Sequence, residues 1–295
     1  MSPKIKKSHR KVDKYRLYEL SVQSPKEHTD WLNAAYREIR AGKSALRLRE
    51  DFCGTFSICC HWVTQSPQHR SMGLDLDPET LAYGRKHHLS KLTQEQQKRV
   101  QPLQKNVMSV TRPGSDIIFA PNFSFMIFKQ RRDLLAYFRS VLSSLDEDGI
   151  FVLETAGGPG FIEEIKERKR VKDPETGERF TYIWHQKSFN PINDNGHFAI
   201  HFKLDDGTLI EDPFTYDWRV WSIPELRDVL VDAGFSETLV YWEDEDSDGQ
   251  PNGDFIRSEL GDNAHAWGAY VVGLKAPEKR SAARKRFERL EKKLV

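Results

Sequence analysis

Short apolar segments alternate along the first half of the chain with stretches of helical spacing. These segments lie at residues 45–48, 72–76, 100–107, 116–120 and 150–154. Between them, apolar side chains recur every three or four residues, which predicts amphipathic helices. Five apolar strands separated by helices are typical of a parallel sheet with helices on both faces. We therefore predict an α/β fold with a doubly wound, mostly parallel, Rossmann-like sheet.

The pattern changes after residue 160. Apolar and polar residues alternate over 180–189 and 198–204, and the turn at 205–207 predicts a hairpin. We interpret this region as an antiparallel β insert covering one end of the sheet. Strands at 238–242 and 267–274 then bring the main sheet to seven strands. The predicted organisation is a basic arm and helical lead-in (1–44), a cofactor-binding core (45–160), the insert as substrate cover (161–218), completion of the core sheet (219–275) and a charged C-terminal helix (276–295).

Composition narrows the class of protein. The chain has 295 residues, 38% hydrophobic and 30% charged, with a formal net charge of +1. This balance argues against disorder, and it provides no global field that would attract nucleic acid or an anionic membrane. No apolar run is long enough for a membrane span, and the first residues lack the apolar stretch of a secretory signal. We expect a cytoplasmic protein.

The three cysteines lie within a single segment, at positions 53, 59 and 60. They cannot frame a disulfide scaffold, which suits a reducing compartment. Neither a histidine nor a second cysteine pair stands at ligand spacing from them, so we expect no metal site.

The stretch 45–56 carries the strongest indication of a binding site. An apolar strand leads into the turn Cys53-Gly54-Thr55, and a helix follows. Glycine lets the backbone approach a ligand, and the first amides of a helix lack partners of their own. The second strand ends at Asp75, and an acid at this position commonly binds a ribose diol. These features predict a nucleotide-type site at the carboxyl ends of strands one and two.

The residues around Gly54 indicate which class of cofactor the site would bind. A dinucleotide oxidoreductase would carry Gly-x-Gly-x-x-Gly at the first turn, but Phe52 and Phe56 flank the single Gly54. Instead, Glu-Asp-Phe-Cys-Gly-Thr resembles the first motif of class I S-adenosylmethionine-dependent methyltransferases, within an uncharacterised subgroup. The resemblance covers roughly residues 45–160. It implies S-adenosyl-L-methionine as the cofactor and methyl transfer to N, O or S of a small molecule.

The resemblance also implies roles for particular positions. Glu50 would be the acid ending strand one, Cys53, Gly54 and Thr55 would face the methionine part, and Asp75 would bind the ribose. The other expected contacts are Leu76 against adenine, Asn106 and Val107 near the adenine amino group, and Asn122, Phe123 and Ser124 where the substrate meets the methyl group, with Asn122 also near the cofactor. Independently of the family pattern, Arg49 could pair with the cofactor carboxylate. Because the family has glycines at positions 52 and 56, the loop is expected to differ locally or to bind the cofactor less tightly.

Residues of the insert and lead-in supply candidate substrate contacts. Trp184, Tyr216 and Trp218 could form an aromatic cage for an amine, although packing within the cover is the commoner role of such rings. A general base is optional in this chemistry; His197, His201 and Tyr18 are weak candidates, together with His185. Tyr15 and Tyr18 could also cover the cofactor turn.

Two alternatives remain open from the sequence. Nucleic-acid base methyltransferases resemble one another in an Asn-Pro-Pro-Tyr type motif, whereas this chain reads Ala120-Pro121-Asn122-Phe123. Basic patches at both ends keep RNA possible as a partner, although a small molecule is favoured. The second alternative is a non-catalytic S-adenosylmethionine-binding protein.

Overall fold

The structure is a computed structural model that describes residues 12–245 and 251–276. Most of the basic arm, residues 246–250 and the predicted C-terminal helix lie outside the described residues. The helices are α1 (Lys14–Val22), α2 (Pro25–Ile39), α3 (Ser57–Gln65), α4 (Pro78–His87), α5 (Gln94–Gln97), α6 (Arg131–Ser144) and α7 (Ile223–Ala233). The strands are β1 (Arg47–Asp51), β2 (Arg70–Asp75), β3 (Val100–Gln104), β4 (Ser115–Ala120), β5 (Leu145–Gly157), β6 (Lys166–Lys172), β7 (Arg179–Asn190), β8 (Asn195–Leu204), β9 (Leu209–Arg219), β10 (Glu237–Glu245), β11 (Pro251–Arg257) and β12 (Trp267–Leu274).

The main sheet has the order β11-β10-β12-β5-β4-β1-β2-β3. Strands β1 to β5 run parallel, as the apolar segments predicted, and β12 pairs antiparallel with β5. The order reverses beside β1, whose neighbours are β2 and β4. In open α/β sheets, ligands bind at the carboxyl ends of strands flanking such a reversal. The mixed α/β architecture is therefore the predicted one.

An eighth strand extends this sheet beyond the seven that were predicted. Strand β11 pairs antiparallel with β10, and Ile256 stands opposite Trp242. Its sequence, Pro-Asn-Gly-Asp-Phe-Ile-Arg, contains few strand-forming residues, so pattern alone does not mark it. Its position at an edge explains the composition, because an edge strand exposes one row of backbone groups and tolerates proline.

A second, separate sheet of four antiparallel strands has the order β6-β7-β8-β9. The alternation over 180–189 and 198–204 predicted β7 and β8. Strand β6, Lys-Glu-Arg-Lys-Arg-Val-Lys, was not predicted, and only Val171 of it is buried. Charged edge strands of this kind resist pairing with other chains, so their residues carry little hydrophobic pattern.

Hydrophobic clusters fill both faces of the main sheet. One face packs α6 and α7 through residues such as Phe138 and Leu226, and the other packs α2 and α3 through Leu32 and Trp62. Helix packing on both faces explains why the central strands read as continuous apolar runs.

Helix α1 lies between the two sheets, at the carboxyl ends of the parallel strands of the main sheet. Asp13 caps the helix by accepting a hydrogen bond from the Arg16 amide, and the Arg16 guanidinium bonds Asp173 of the insert at 2.9 Å. Tyr18 packs against the aromatic cluster on the inner face of the insert. The helix therefore lies against the insert above the carboxyl ends of the parallel strands.

Candidate functional site

The loop after β1 has an unusual backbone. Phe52, Gly54 and Phe56 all have positive φ, at 55°, 51° and 47°. The two phenylalanines thus adopt the left-handed conformation usually taken by glycine, at a cost of roughly 1–2 kcal/mol each. Packing offsets this cost: Phe56 is fully buried, and the Phe52 ring lies 5.9 Å from that of Tyr137. The loop keeps a glycine-like path even where glycine is absent.

Helix α4 packs closely against this loop. A Cβ atom added to Gly84 would lie 2.2 Å from the carbonyl oxygen of Thr55 and 2.4 Å from the Phe56 ring. Distances this short would be steric clashes, so only glycine, which has no Cβ atom, fits at this position. Gly84 therefore fixes the distance between α4 and the loop.

Two carboxyl groups flank the loop. Asp75, at the end of β2, accepts hydrogen bonds from the Gly54 amide at 2.7 Å and from the Asp77 amide at 2.9 Å. Glu50 accepts a bond from the Cys59 amide at 3.0 Å near the start of α3. The ends of β1 and β2 therefore present acidic groups on either side of Gly54.

The environment of Glu50 favours its neutral form. Burial, together with the nearby Asp75 and Asp51, raises the pKa of this carboxyl to about 8, although hydrogen bonding with Cys59 lowers it. Within the described part of the chain, no cation is among the groups that shift this pKa. A cation entering the adjoining cavity would favour the charged form.

These residues line a cavity of about 270 Å³ at the carboxyl ends of the strands. Its wall comes from α1, the first two strand ends, the loop after β4, and β9. The lining residues are Tyr15, Tyr18, Gln23, Glu50, Phe52, Gly54, Thr55, Asp75, Thr80, Pro121, Asn122, Ser124, Ile127, Phe214, Tyr216 and Trp218. The sequence predicted Glu50, Gly54, Thr55 and Asp75 as one group, and the fold brings them together here.

A second cavity of about 280 Å³ lies between the first and the insert. Four residues line both cavities: Tyr18, Asn122, Tyr216 and Trp218. Phe123 and Trp184, two further sequence candidates, line the second cavity only. The two spaces therefore share a wall, so ligands bound in them would be neighbours.

The loop after β4 forms part of this shared wall. Asn122 and Phe123 both have positive φ, at 54° and 58°. The Asn122 amide donates to the Glu154 carboxylate at 2.7 Å, and the Ser124 hydroxyl donates to the Pro121 carbonyl at 2.8 Å. Sequence reasoning missed Glu154, and the available signal was its position as the last residue of the predicted strand segment 150–154.

Aromatic rings of the insert form the opposite side of the second cavity. The Tyr216 and Trp218 rings stack with centroids 4.4 Å apart, and Trp184 lies 6.2 Å from Trp218. The Tyr216 hydroxyl interacts with that of Tyr18, and burial raises the pKa of Tyr18 to about 12. These rings pack against one another and also face the cavity, so they serve both roles considered from the sequence.

Arg49 does not line either cavity, which corrects its assignment to the cofactor carboxylate. Its side chain is fully buried and donates to Asp51 at 2.6 Å, to the Val107 carbonyl at 2.5 Å and to the Ser144 hydroxyl at 3.0 Å. Tyr137 donates to the same Asp51 at 2.8 Å. Arg49 thus belongs to a buried polar network between β1 and α6, because alternate residues of a strand share a face and its partner is Asp51.

Other predicted cofactor contacts lie around the first cavity but do not line it. Cys53 and Val107 are buried in the core, and the Leu76 side chain is 62% exposed just past β2. Asn106 is exposed, and its side-chain oxygen accepts from the Met108 amide at 2.8 Å. The structure brings none of these four to the cavity lining.

The insert histidines lie on the outer face of its sheet, away from both cavities. His185 Nδ1 and His201 Nε2 are 3.1 Å apart, and the Asp212 amide donates to His201 Nδ1. His197 is exposed beside Asp217. The expectation that His185, His197 or His201 provides a base is therefore wrong in geometry, whereas Tyr18 does lie at the shared wall.

Several lining residues were not predicted as site residues. In the first cavity, they include Gln23, Thr80, Ile127 and Phe214, and in the second, Glu167, Tyr182 and Gln186. They reach the site through long-range packing of α1, the insert and the core, which no local motif records. The alternation of β7 was the only signal that its even-numbered residues share a face.

The described residues contain neither a metal-binding cluster nor a membrane-spanning helix. No group of three or more His, Cys, Asp or Glu side chains among them is arranged to hold a metal ion. None of the helices described is both long and apolar enough to cross a bilayer. All three cysteines are buried as free thiols.

Solved structures with the same fold are numerous, although no protein-family model and no curated protein matches the sequence. One is the S-adenosylmethionine-bound CalS10, an amino pentose methyltransferase from Micromonospora echinaspora, with 15% identity, a TM-score of 0.62, and 91% of this chain and 99% of that chain covered. The sugar N-methyltransferase KedS8 from Streptoalloteichus has 18% identity and a TM-score of 0.61, covering 94% and 99%. DesVI from Streptomyces venezuelae has 16% identity and a TM-score of 0.66, covering 90% and 100%. At these identities, the likeness establishes the fold.

Proposed function

We propose that this chain is an S-adenosylmethionine-dependent methyltransferase that acts on a small molecule. The observation that carries the proposal is the pair of adjoining cavities, one lined by the acids that end β1 and β2, the other by aromatic rings of the insert. The fold shared with structures named as methyltransferases supports it. The first cavity would hold the methyl donor and the second the acceptor.

The residues of the first cavity fit this donor. S-adenosylmethionine carries a sulfonium, an ammonium, a carboxylate and a ribose diol. Asp75 has a position suited to the diol, and Glu50 is a buried carboxyl without a charged partner among the described residues. A cationic ligand would relieve the cost of ionising Glu50, so the acid and the ligand complement each other.

When bound, the cofactor supplies a methyl group on a sulfonium: the acceptor lone pair forms the new bond to carbon, and the carbon–sulfur electrons return to sulfur. The protein's part is to position the partners and to exclude water. The shared wall of Tyr18, Asn122, Tyr216 and Trp218 is placed to align the two ligands. Glu154 holds the Asn122 backbone in its positive-φ conformation.

Tyr18 is better suited to donating a hydrogen bond than to removing a proton. Since burial raises its pKa to about 12, the phenol stays protonated near neutral pH. Among the described residues, no histidine lines either cavity. We therefore assign the reaction to positioning, with proton release to solvent.

Calorimetry with S-adenosylmethionine and S-adenosylhomocysteine tests the proposal. We expect micromolar binding, on the order of 8 kcal/mol, and a loss of at least tenfold in Asp75→Ala. Asp228→Ala, an exposed acid on α7 outside both cavities, is the matched control and should bind as the wild type does. Absence of binding to the wild-type protein would refute the proposal.

Incubation with methyl-labelled cofactor and a metabolite pool then tests catalysis. Labelled product is expected in the small-molecule fraction. Binding without label transfer to any pool would favour a non-catalytic cofactor-binding protein, and label confined to RNA would favour the nucleic-acid alternative.

A further inference from the structure

The lining of the second cavity is rich in aromatic residues and includes one acidic side chain. Seven of its lining residues are aromatic: Tyr18, Phe123, Phe161, Tyr182, Trp184, Tyr216 and Trp218. The one acidic side chain is Glu167 of β6, and among the described residues no lysine, arginine or histidine lines this space. Aromatic faces and a carboxylate both attract cations.

Glu167 lies beside the aromatic cluster, on the same face of the insert. It is the register partner of Trp184 in the β6–β7 pair, and its charge contributes to raising the pKa of Tyr182. The Gln186 side chain, by contrast, is occupied: its amide nitrogen donates to the Gly160 carbonyl at 2.8 Å, and its oxygen accepts from Trp184 at 3.1 Å. Glu167 is therefore the acidic group placed to recognise a ligand's positive charge.

The same walls disfavour anions. A phosphate group in proteins is usually held by arginine, lysine or helix amides, and this cavity would instead place it beside Glu167. Like charges in a partly desolvated space disfavour binding, which is one way that sites reject wrong ligands. The volume of about 280 Å³ also lies at the small end of ligand sites.

We propose that the second cavity selects a small, unphosphorylated acceptor bearing an ammonium group, held between the insert aromatics and Glu167. An ammonium nitrogen has no lone pair, so the atom that receives the methyl group is a different one or is this nitrogen after it has released its proton to solvent. This inference rests on the proposed function for its meaning as an acceptor site. The cation preference itself is a property of the cavity and can be measured without turnover.

A matched set of probes tests the preference: choline, its neutral carbon analogue 3,3-dimethylbutan-1-ol, and phosphocholine. Each is titrated to tens of millimolar, with and without saturating S-adenosylhomocysteine, while tryptophan fluorescence is followed, because Trp184 and Trp218 line the cavity. Choline should bind at least tenfold more tightly than either the neutral or the phosphorylated probe. Equal binding of choline and its neutral analogue, tighter binding of phosphocholine, or no response to choline would overturn the inference.

Two variants connect the preference to its residues. Glu167→Gln should weaken choline binding several-fold and leave the neutral probe unchanged, whereas Glu164→Gln, an exposed acid outside the cavity, should change neither. Trp218→Leu should abolish the advantage of choline over the neutral probe. An unchanged preference in both Glu167→Gln and Trp218→Leu would contradict the assignment. If S-adenosylhomocysteine fails to bind while choline still does, the proposed function fails and the cation site stands.

Discussion

Glu50 is expected to make cofactor binding depend on pH. The pKa of this buried carboxyl is raised to about 8, so the ligand-free protein carries a proton there at neutral pH. The cofactor brings positive charge, which favours the ionised carboxylate. Binding below pH 8 should therefore release a proton, and affinity should fall as the pH is lowered.

The size of the effect follows from the raised pKa. Each pH unit below 8 adds about 1.4 kcal/mol to the cost of ionising Glu50. Because Glu50 is half ionised at pH 8, cofactor affinity should weaken by about fivefold between pH 8 and pH 7 and by about ninefold between pH 7 and pH 6, or about fiftyfold in total. Glu50→Gln keeps the shape of the side chain and removes the titration, so its affinity should be nearly constant over this range.

The assay is calorimetry at pH 6, 7 and 8 in two buffers with different ionisation enthalpies. The difference in heat between buffers counts the protons released, and close to one proton per cofactor is expected at pH 7 for the wild type. Protons lost by the cofactor's own amine appear equally in Glu50→Gln, so the comparison isolates Glu50. Equal pH slopes and equal proton release in the two proteins would show that Glu50 does not titrate when the cofactor binds.

Unfolding of the ligand-free protein gives an independent readout of the same titration, and its pH dependence has the opposite direction. Because the folded pKa lies above the ordinary value of 4.5, protonated Glu50 contributes its full stability only below that value. As the pH rises from 5 to 8, the free energy of unfolding of the wild type should fall relative to Glu50→Gln by about 1.4 kcal/mol per unit. A difference that stays constant with pH, measured by urea unfolding, would contradict the burial of an unpaired carboxyl.

Three further substitutions test other parts of the site. Asp75→Asn should keep the contact with the Gly54 amide only partly. It should weaken S-adenosylhomocysteine binding, measured by calorimetry, by about tenfold or more, because a charge-assisted bond to a diol is worth roughly 1.5–3 kcal/mol. Arg49→Leu leaves Asp51 buried and unpaired, so urea unfolding should show a loss of about 3–5 kcal/mol, and the double variant Arg49→Leu with Asp51→Leu should recover part of it. Gly84→Ala, which would stabilise an ordinary helix by about 1 kcal/mol, should instead lower the melting temperature and the cofactor affinity, because the new methyl group collides with the Thr55 carbonyl. A raised melting temperature, or a double variant less stable than Arg49→Leu alone, would contradict these assignments.

The sequence predicted those parts of the site that depend on one local pattern. Asp75 ends β2 and Gly54 lies in the turn just after β1, so strand order and turn chemistry were sufficient to bring them to the same edge. Arg49 was misplaced because its role depends on which face of β1 it shares with Asp51, and on Tyr137 and Ser144, nearly a hundred residues away. A period-two argument within the strand would have separated Arg49 from Glu50.

The second cavity was only partly accessible from sequence. Trp184, Tyr216 and Trp218 were recognised by residue type, whereas Glu167 lies on a strand whose charged sequence carries no apolar alternation. The positive φ values at Phe52 and Phe56 were also beyond pattern reasoning, because bulky residues rarely adopt them and only surrounding packing stabilises them.

The alternation of the insert strands separates two kinds of sequence change. Trp218 faces the cavity, and its neighbour Asp217 faces outward beside His197. Substitutions on the outer face can therefore alter charge and solubility while the acceptor wall stays intact. Deletion of a single residue early in β9 would instead disrupt the acceptor wall. It would turn Asp217 inward and Trp218 outward, with almost no change in composition. In this part of the chain, length should be under tighter selection than the identity of outward-facing residues.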